Sequence, residues 1–327
     1  MNAKLLTLKE VSELISLKRN LIVAGHEKVL DKLPAGSWIG GSNPYLFGEN
    51  GGQYTEDLLY VKDFTPLAEA VCFKTYDQTN IHKIASEAYS NGLIVLILPV
   101  FSEVWRKFAV EAPTYENQFQ NPLLGWVAGS KYEETLPGIA KTYIEGVKYS
   151  DKAVVMNIKL PDNKVGRMEI VNVYNQGAGD EIFFPKDGLD NTTCIVNGEE
   201  TDLYDYLESI NFQWYLPFMA NYNGAKINVG VIQQVETRSA LFAAPVFKDT
   251  PYKIAENVSI DYISEFRKQL TIPVEKVEYS YSCLFNYYNF ELEGRPLPDF
   301  AGVFTYGEFA YQLLNLTFAY LTIDELG

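Results

Sequence analysis

The sequence predicts a chain of mixed class, α/β grading into α+β, built as two halves of layered sheets and helices. Three observations predict it. Residues 69–98 read strand, helix, strand, the order of a right-handed crossover in a largely parallel sheet. The second half breaks into short strand-like runs bounded by turn residues, the pattern of hairpins. The charge is uneven as well: residues 1–150 carry 14 basic and 17 acidic side chains, residues 151–327 carry 13 and 25. The expected division is residues 1–140 and 141–327, with Leu136-Pro137-Gly138 in a polar junction.

In the first half, Thr7-Leu8-Lys9-Glu10 reads as a capping box, followed by Val11, Leu14 and Ile15 on one helix face. A second helical pattern runs over about 22–33 and stops at Pro34. Trp38-Ile39-Gly40-Gly41-Ser42 reads as a strand ending in a glycine turn. Residues 70–73 read as a strand. Asn80 then caps a helix with Ile81, Ile84, Ala85 and Ala88 on one face, stopped by Asn91-Gly92. Residues 93–98 are continuously apolar, as in a strand covered on both faces. A short helix at 102–109 and a strand at 123–128 extend the unit.

In the second half, strands at 154–158 and 168–174 flank Pro161-Asp162-Asn163-Lys164, a hairpin signal. Residues 201–210 read as a helix with Leu203, Tyr206, Leu207 and Ile210 on one face. Residues 226–235 and 239–246 read as a strand pair, and 258–270 as an amphipathic helix ended by Pro273. Strands near 277–283 and 303–306 precede a helical tail from Phe309. No repeat of solenoid period is visible.

The chain has 327 residues, 47% of them hydrophobic, which suits a packed core and excludes a disordered chain. A net charge of −15 argues against nucleic-acid and anionic-membrane partners, because phosphate contacts need clustered Lys and Arg. Cys72, Cys194 and Cys283 are odd in number and form no CxxC pair. They point away from a disulfide framework or structural zinc and towards reduced, buried thiols in the cytoplasm. The start lacks a long apolar signal core, and the longest apolar run, 93–101, is well short of the roughly 20 residues a membrane helix needs.

His26 and His82 are the two histidines, so a metal site of several histidines is excluded, and both read as surface or satisfied core residues. Gly177-Ala178-Gly179-Asp180 follows a strand but lacks a third glycine and leads into another strand, so it reads as a turn. No Walker A, HExxH or GxSxG pattern occurs. The expectation is no catalytic residue, no metal, and no cofactor such as haem or flavin. Near the end, Gly302-Val303-Phe304-Thr305-Tyr306-Gly307-Glu308 brings a carboxylate to a strand end. Glu308 there either binds a cationic group or opens a helix near its positive dipole end.

That run, with Leu314-Asn315-Leu316-Thr317 after it, resembles the close of the FIST domain family, a GFYTYGE-like strand followed by N-x-T. Ser282-Cys283 is similar to the family's Ser-Cys step, and Asn197-Gly198-Glu199 leading into 203–207 resembles another of its segments. Ala244-Pro245-Val246 with Pro251-Tyr252 is similar less exactly. Trp38–Ser42 stands where the family has a glycine-serine turn. The resemblance covers about residues 190–320. Over 1–150 it is mainly one of element order, with two helices before Trp38 and an Asn43-Pro44-Tyr45 loop after Ser42 as departures.

The resemblance implies a cytoplasmic sensory module of bacterial signalling. Such a module binds a small ligand such as an amino acid and signals through a partner protein. The haem that some members bind needs an axial ligand, and none carries over to His26 or His82. On this reading Gly40, Gly41 and Ser42 face Tyr306, Gly307 and Glu308 across a cleft between the halves. Glycine N–H groups meet a carboxylate, Glu308 meets an ammonium, and Tyr306 supplies a ring or hydroxyl. The alternative is a hydrolase or transferase with a carboxylate-based site that uses Cys283 or His82.

Overall fold

Strands dominate the chain. In the computed structural model, which describes residues 4–222, 225–257, 261–270, 272–297 and 300–326, they form four six-stranded sheets and a two-stranded ribbon among the described residues. The class is mixed α/β, with helices laid on mixed sheets.

The first module holds β1 (Lys4–Thr7), α1 (Leu8–Ser16), β2 (Leu21–Gly25), α2 (Glu27–Leu30), β3 (Trp38–Ser42), β4 (Tyr45–Gly48), β5 (Gly51–Tyr54) and β6 (Leu58–Asp63). The second holds β7 (Ala70–Tyr76), β8 (Gly92–Pro99), α3 (Glu103–Glu111), β9 (Leu123–Ala128), β10 (Thr142–Ile144), β11 (Val147–Tyr149) and β12 (Ala153–Lys159). The third opens with β13 (Lys164–Val171). An inserted unit follows: β14 (Ile182–Phe183), β15 (Thr193–Val196), β16 (Glu199–Asp202), α4 (Leu203–Ser209), β17 (Phe218–Tyr222), β18 (Ala225–Val229), β19 (Val231–Gln234), β20 (Ser239–Phe242), β21 (Tyr252–Ile254) and α5 (Tyr262–Gln269). The third module resumes with β22 (Val277–Cys283), α6 (Leu284–Asn289), β23 (Gly302–Thr305), β24 (Glu308–Ala310), β25 (Gln312–Leu314) and β26 (Phe318–Glu325).

The three modules share one wiring. In each, two central strands run parallel: β2 with β3, β8 with β9, β22 with β23. The last strand of the module lies antiparallel between the first strand and this pair, as β6, β12 and β26. Each module sends its hairpin to a neighbour's sheet. β4–β5 joins β23, β24–β25 joins β9, and β10–β11 joins β3, so the exchange closes on itself. Ile39, Ile97, Trp126, Tyr281 and Val303 meet in one core that draws on all three modules.

One glycine per module marks the exchange. Gly40 pairs with Tyr143, Gly125 with Phe309 and Gly302 with Phe47. A Cβ at these glycines would meet the carbonyl oxygen of Val23, Leu96 or Ser280 on the adjacent parallel strand at 2.7, 1.9 and 2.5 Å. The glycines let the strands approach this closely. Just beyond, the Gly129 N–H donates to Ser42 O and the Tyr306 N–H to Val127 O. The corresponding donor in the first module falls on Pro44, which has no N–H. The Asn43 side-chain amide takes its place and donates to Phe304 O at 2.7 Å.

Several expectations are met. Thr7 and Glu10 form the capping box, the short helix expected at 102–109 is α3, and β8 is buried along its whole length. Others are corrected. Residue 140 does not separate two halves: β10 and β12 lie beyond it yet pair with β3, β7 and β8. The parallel crossover is β8–α3–β9, because β12 separates β7 from β8. The strands flanking Pro161–Lys164 do not pair with each other. The helix expected over 22–33 is β2 followed by one short helix, since a short apolar run buried on both faces reads alike as either element. The helix after Asn80 is a single 3₁₀ turn, Ile81–Lys83. The tail from Phe309 holds strands joined by short turns instead of a helix, fixed by pairing with β9, β13 and β22. The helix expected over 258–270 is α5, whose expected first residues, 258–260, lie outside the described residues, as do 1–3.

Candidate functional site

The carboxyl ends of β8, β22 and β23 open onto a pocket of about 340 Å³ roofed by the inserted unit. Its walls are largely apolar and carry several aromatic rings: Phe101 and Trp105 from the second module, Phe242 from the insertion, Phe285 and Tyr306 from the third. Ser102 caps α3 by accepting from the Trp105 N–H at 3.2 Å, and this starts the helix where Trp105 and Arg106 reach the pocket. Arg106 Nη1 donates to Asp190 Oδ2 at 2.6 Å, with both groups lining the mouth. Asp190 belongs to the insertion, so this ion pair ties the roof to the frame.

Tyr306 is fixed by its hydroxyl, which donates to Ser130 O at 2.8 Å and lies 2.9 Å from Thr135 Oγ1. Its ring rests on Gly129, where a Cβ would come within 2.1 Å of it. Burial holds the phenol well above its ordinary value, so it stays neutral.

Cys283 lines the pocket at the end of β22. Glu308 interacts with it from β24 and does not line the pocket. The Glu308 carboxyl is fully buried, and its Oε1 accepts from the Thr317 N–H at 2.9 Å and the Thr317 hydroxyl at 2.8 Å. Oε2 has no hydrogen-bond partner of ordinary geometry. Burial raises the Glu308 pKa to about 8, and burial together with the neighbouring Glu308 pushes the Cys283 thiol well above its usual range. Near neutral pH the pair is mainly a protonated acid beside an un-ionised thiol. A thiol in that state is a weak nucleophile.

A comparison with protein families matches residues 6–324 to a family of unknown function, DUF6976. The chain belongs to this family. No curated protein matches it. The DUF6976 match runs from β1 to β26 and spans the insertion.

Of the six site residues expected from the sequence, Tyr306 alone lines the pocket. Gly40 and Gly41 are buried in β3, and a Cβ at Gly41 would meet Ile97, Ala128 and Trp126. Ser42 is also buried: its Oγ donates to Gly129 O at 2.7 Å and accepts from the Lys141 N–H at 2.8 Å. Gly307 O accepts from the Val127 N–H. The cleft expected between two halves is therefore corrected: these turns join the modules, and their polar groups are used there. Neither histidine reaches the pocket. His26 caps α2 by accepting from the Lys28 N–H, and His82 lies exposed in its 3₁₀ turn. Among the described residues no three His, Cys, Asp or Glu side chains are grouped as metal ligands. Sequence reasoning missed Trp105, Arg106 and Asp190. The short helix it placed at 102–109 carries the first two, whereas nothing local marks Asp190.

Proposed function

We propose that this chain is a cytoplasmic binding protein for an amino-acid-like metabolite with an apolar or aromatic side chain. It reports occupancy to a partner protein, the sensory role that the FIST resemblance implies. The observation that carries the reading is the Arg106–Asp190 pair at the mouth of an aromatic pocket. A zwitterion offers a carboxylate to the guanidinium and an ammonium to Asp190, while its side chain enters the apolar interior. The pair is half exposed, and such pairs contribute only about 0–1 kcal/mol, so opening it costs little. Because it joins the inserted unit to α3, opening it is also a route from ligand to conformation. Three free thiols fit a reducing compartment, and no helix among the described residues is long and apolar enough to cross a membrane.

A second reading is a hydrolase or transferase that works through Cys283, favoured by the position of that thiol on the pocket wall beside Glu308. A thermal-shift screen of the proteinogenic amino acids, with phenylalanine and tyrosine first, separates the two when run beside esterase and phosphatase substrates. The expected result is stabilisation without turnover. Arg106→Gln and Asp190→Asn should each weaken the hit at least tenfold, about 1.4 kcal/mol, with little change in melting temperature. Turnover that vanishes in Cys283→Ser would overturn the binding role in favour of the enzyme.

A further inference from the structure

A second cavity, of about 380 Å³, is lined by Tyr45, Tyr54, Tyr287 and Tyr288 together with Glu133, Glu291, Glu293 and Lys131. It is assembled by the hairpin exchange. Tyr45 and Tyr54 come from the β4–β5 hairpin of the first module, and Tyr287 and Tyr288 from α6 of the third. We propose that this cavity binds an organic ammonium ion of the quaternary or methylated class, with the tyrosine rings as a cage and the glutamates as its counter-charge.

The ring planes stand steeply to one another. Tyr45 meets Tyr54, Tyr287 and Tyr288 at 67°, 61° and 65°, and Tyr287 meets Tyr288 at 86°, all with centroids within 5.9 Å. Rings set at such angles wall a small volume from several directions. The negative face of an aromatic ring attracts a cation most when little water is bound to it, which favours alkylated ammonium over a bare one. Tyr45 and Tyr287 are buried and make the floor, and Tyr288, 39% exposed, forms the rim. Hydroxyl contacts brace the cage in addition to these edge-to-face contacts. The hydroxyls of Tyr45 and Tyr288 are 2.8 Å apart, Tyr45 also accepts from the Tyr132 N–H, and the Tyr54 hydroxyl donates to Glu56.

Three carboxylates line the cavity against one cation, and Lys131 is itself paired with Glu134 at 3.2 Å. That excess of negative charge speaks against an anionic or neutral apolar ligand. The site is independent of the first pocket. No residue lines both, and Tyr132, which lines the first, has its ring 5.3 Å from that of Tyr288.

The test is saturation-transfer NMR titration with choline, beside its uncharged isostere 3,3-dimethylbutan-1-ol. Choline should bind at least about tenfold more tightly than the isostere. Tyr288→Leu and Glu293→Gln should each weaken choline severalfold, whereas Tyr288→Phe, which keeps the ring, should bind as the parent does. Melting temperatures of the variants separate loss of site from loss of fold. Glu293, being exposed, keeps the test available if the tyrosine variant is unstable. Equal affinity for both probes, no binding of choline, or unchanged binding in Glu293→Gln would overturn the proposal.

Discussion

The first and third modules share a wiring and differ in what stands at the end of the central strand. At the end of β3, Ser42 and Asn43 use their side chains on Gly129, Lys141, Phe304 and Tyr45, and the end is closed. At the end of β23, Thr305 and Tyr306 line a pocket. The first module connects its outer and central strands through α1 alone, whereas the third places a whole inserted unit, residues 172–276, at the same step. The frame is repeated, and the candidate site lies where the repetition is broken. This follows because a ligand site needs concave, partly unsatisfied surface, and a regular frame consumes its own polar groups.

The largest effect should come from attacking the frame rather than the insertion. Gly125 has φ +128, and a Cβ there would lie 1.9 Å from Leu96 O, which is backbone and cannot swing away. Gly125→Val should cost more than about 4 kcal/mol and leave no cooperative urea unfolding transition. Gly179→Val in the inserted unit, where nothing lies within 4 Å, should stay within about 0.5 kcal/mol. A well-folded Gly125→Val protein would remove the tight-approach account of the frame.

Glu308 gives the next effect, and it depends on pH. Its pKa is raised from 4.5 to about 8, so between those values the native state holds more proton than the unfolded chain. Its contribution to stability is therefore complete below about pH 4.5 and is lost as pH rises towards 8. The slope approaches about 1.4 kcal/mol per pH unit within that window. Glu308→Gln keeps an acceptor for Thr317 and cannot ionise, so its unfolding free energy should fall less between pH 5.5 and 8. Parallel curves for the two proteins would mean that Glu308 is ionised in the fold.

The smallest effect sharpens the comparison at β3. Asn43→Ala leaves Phe304 O without its 2.7 Å donor in a buried place, which should cost about 1–3 kcal/mol by denaturant titration. Asn43→Asp should fail to rescue it, since a carboxylate does not donate. A neutral Asn43→Ala would show that the amide is not standing in for the N–H that Pro44 lacks.

Legibility in the sequence followed locality. The Thr7 box, the short helix after residue 102 and the apolar run of β8 are readable, because each depends on neighbours a few residues away. Gly40, Gly125 and Gly302 were not readable as one repeat, because the connections between them differ in length and only the pairing aligns them. The local sequence leaves Glu308 between a ligand contact and a helix start, yet it is a strand residue opposite Trp126 with Thr317 for a partner. Tyr306 was found through the pattern around it. Arg106 and Asp190 were missed because their pairing spans the second module and the insertion.

The sequence by itself determined the mixed class, the capped helices, the buried strands and an acidic chain with three free thiols. Those properties depend on composition and on residues close along the chain. Tertiary structure alone decided which strand pairs with which, that each module lends its hairpin to another, and that Glu308 is shut away from water. Strand pairing joins residues as distant in sequence as Phe47 and Gly302, and burial of a carboxylate depends on everything packed around it, so neither is written in any single stretch of sequence.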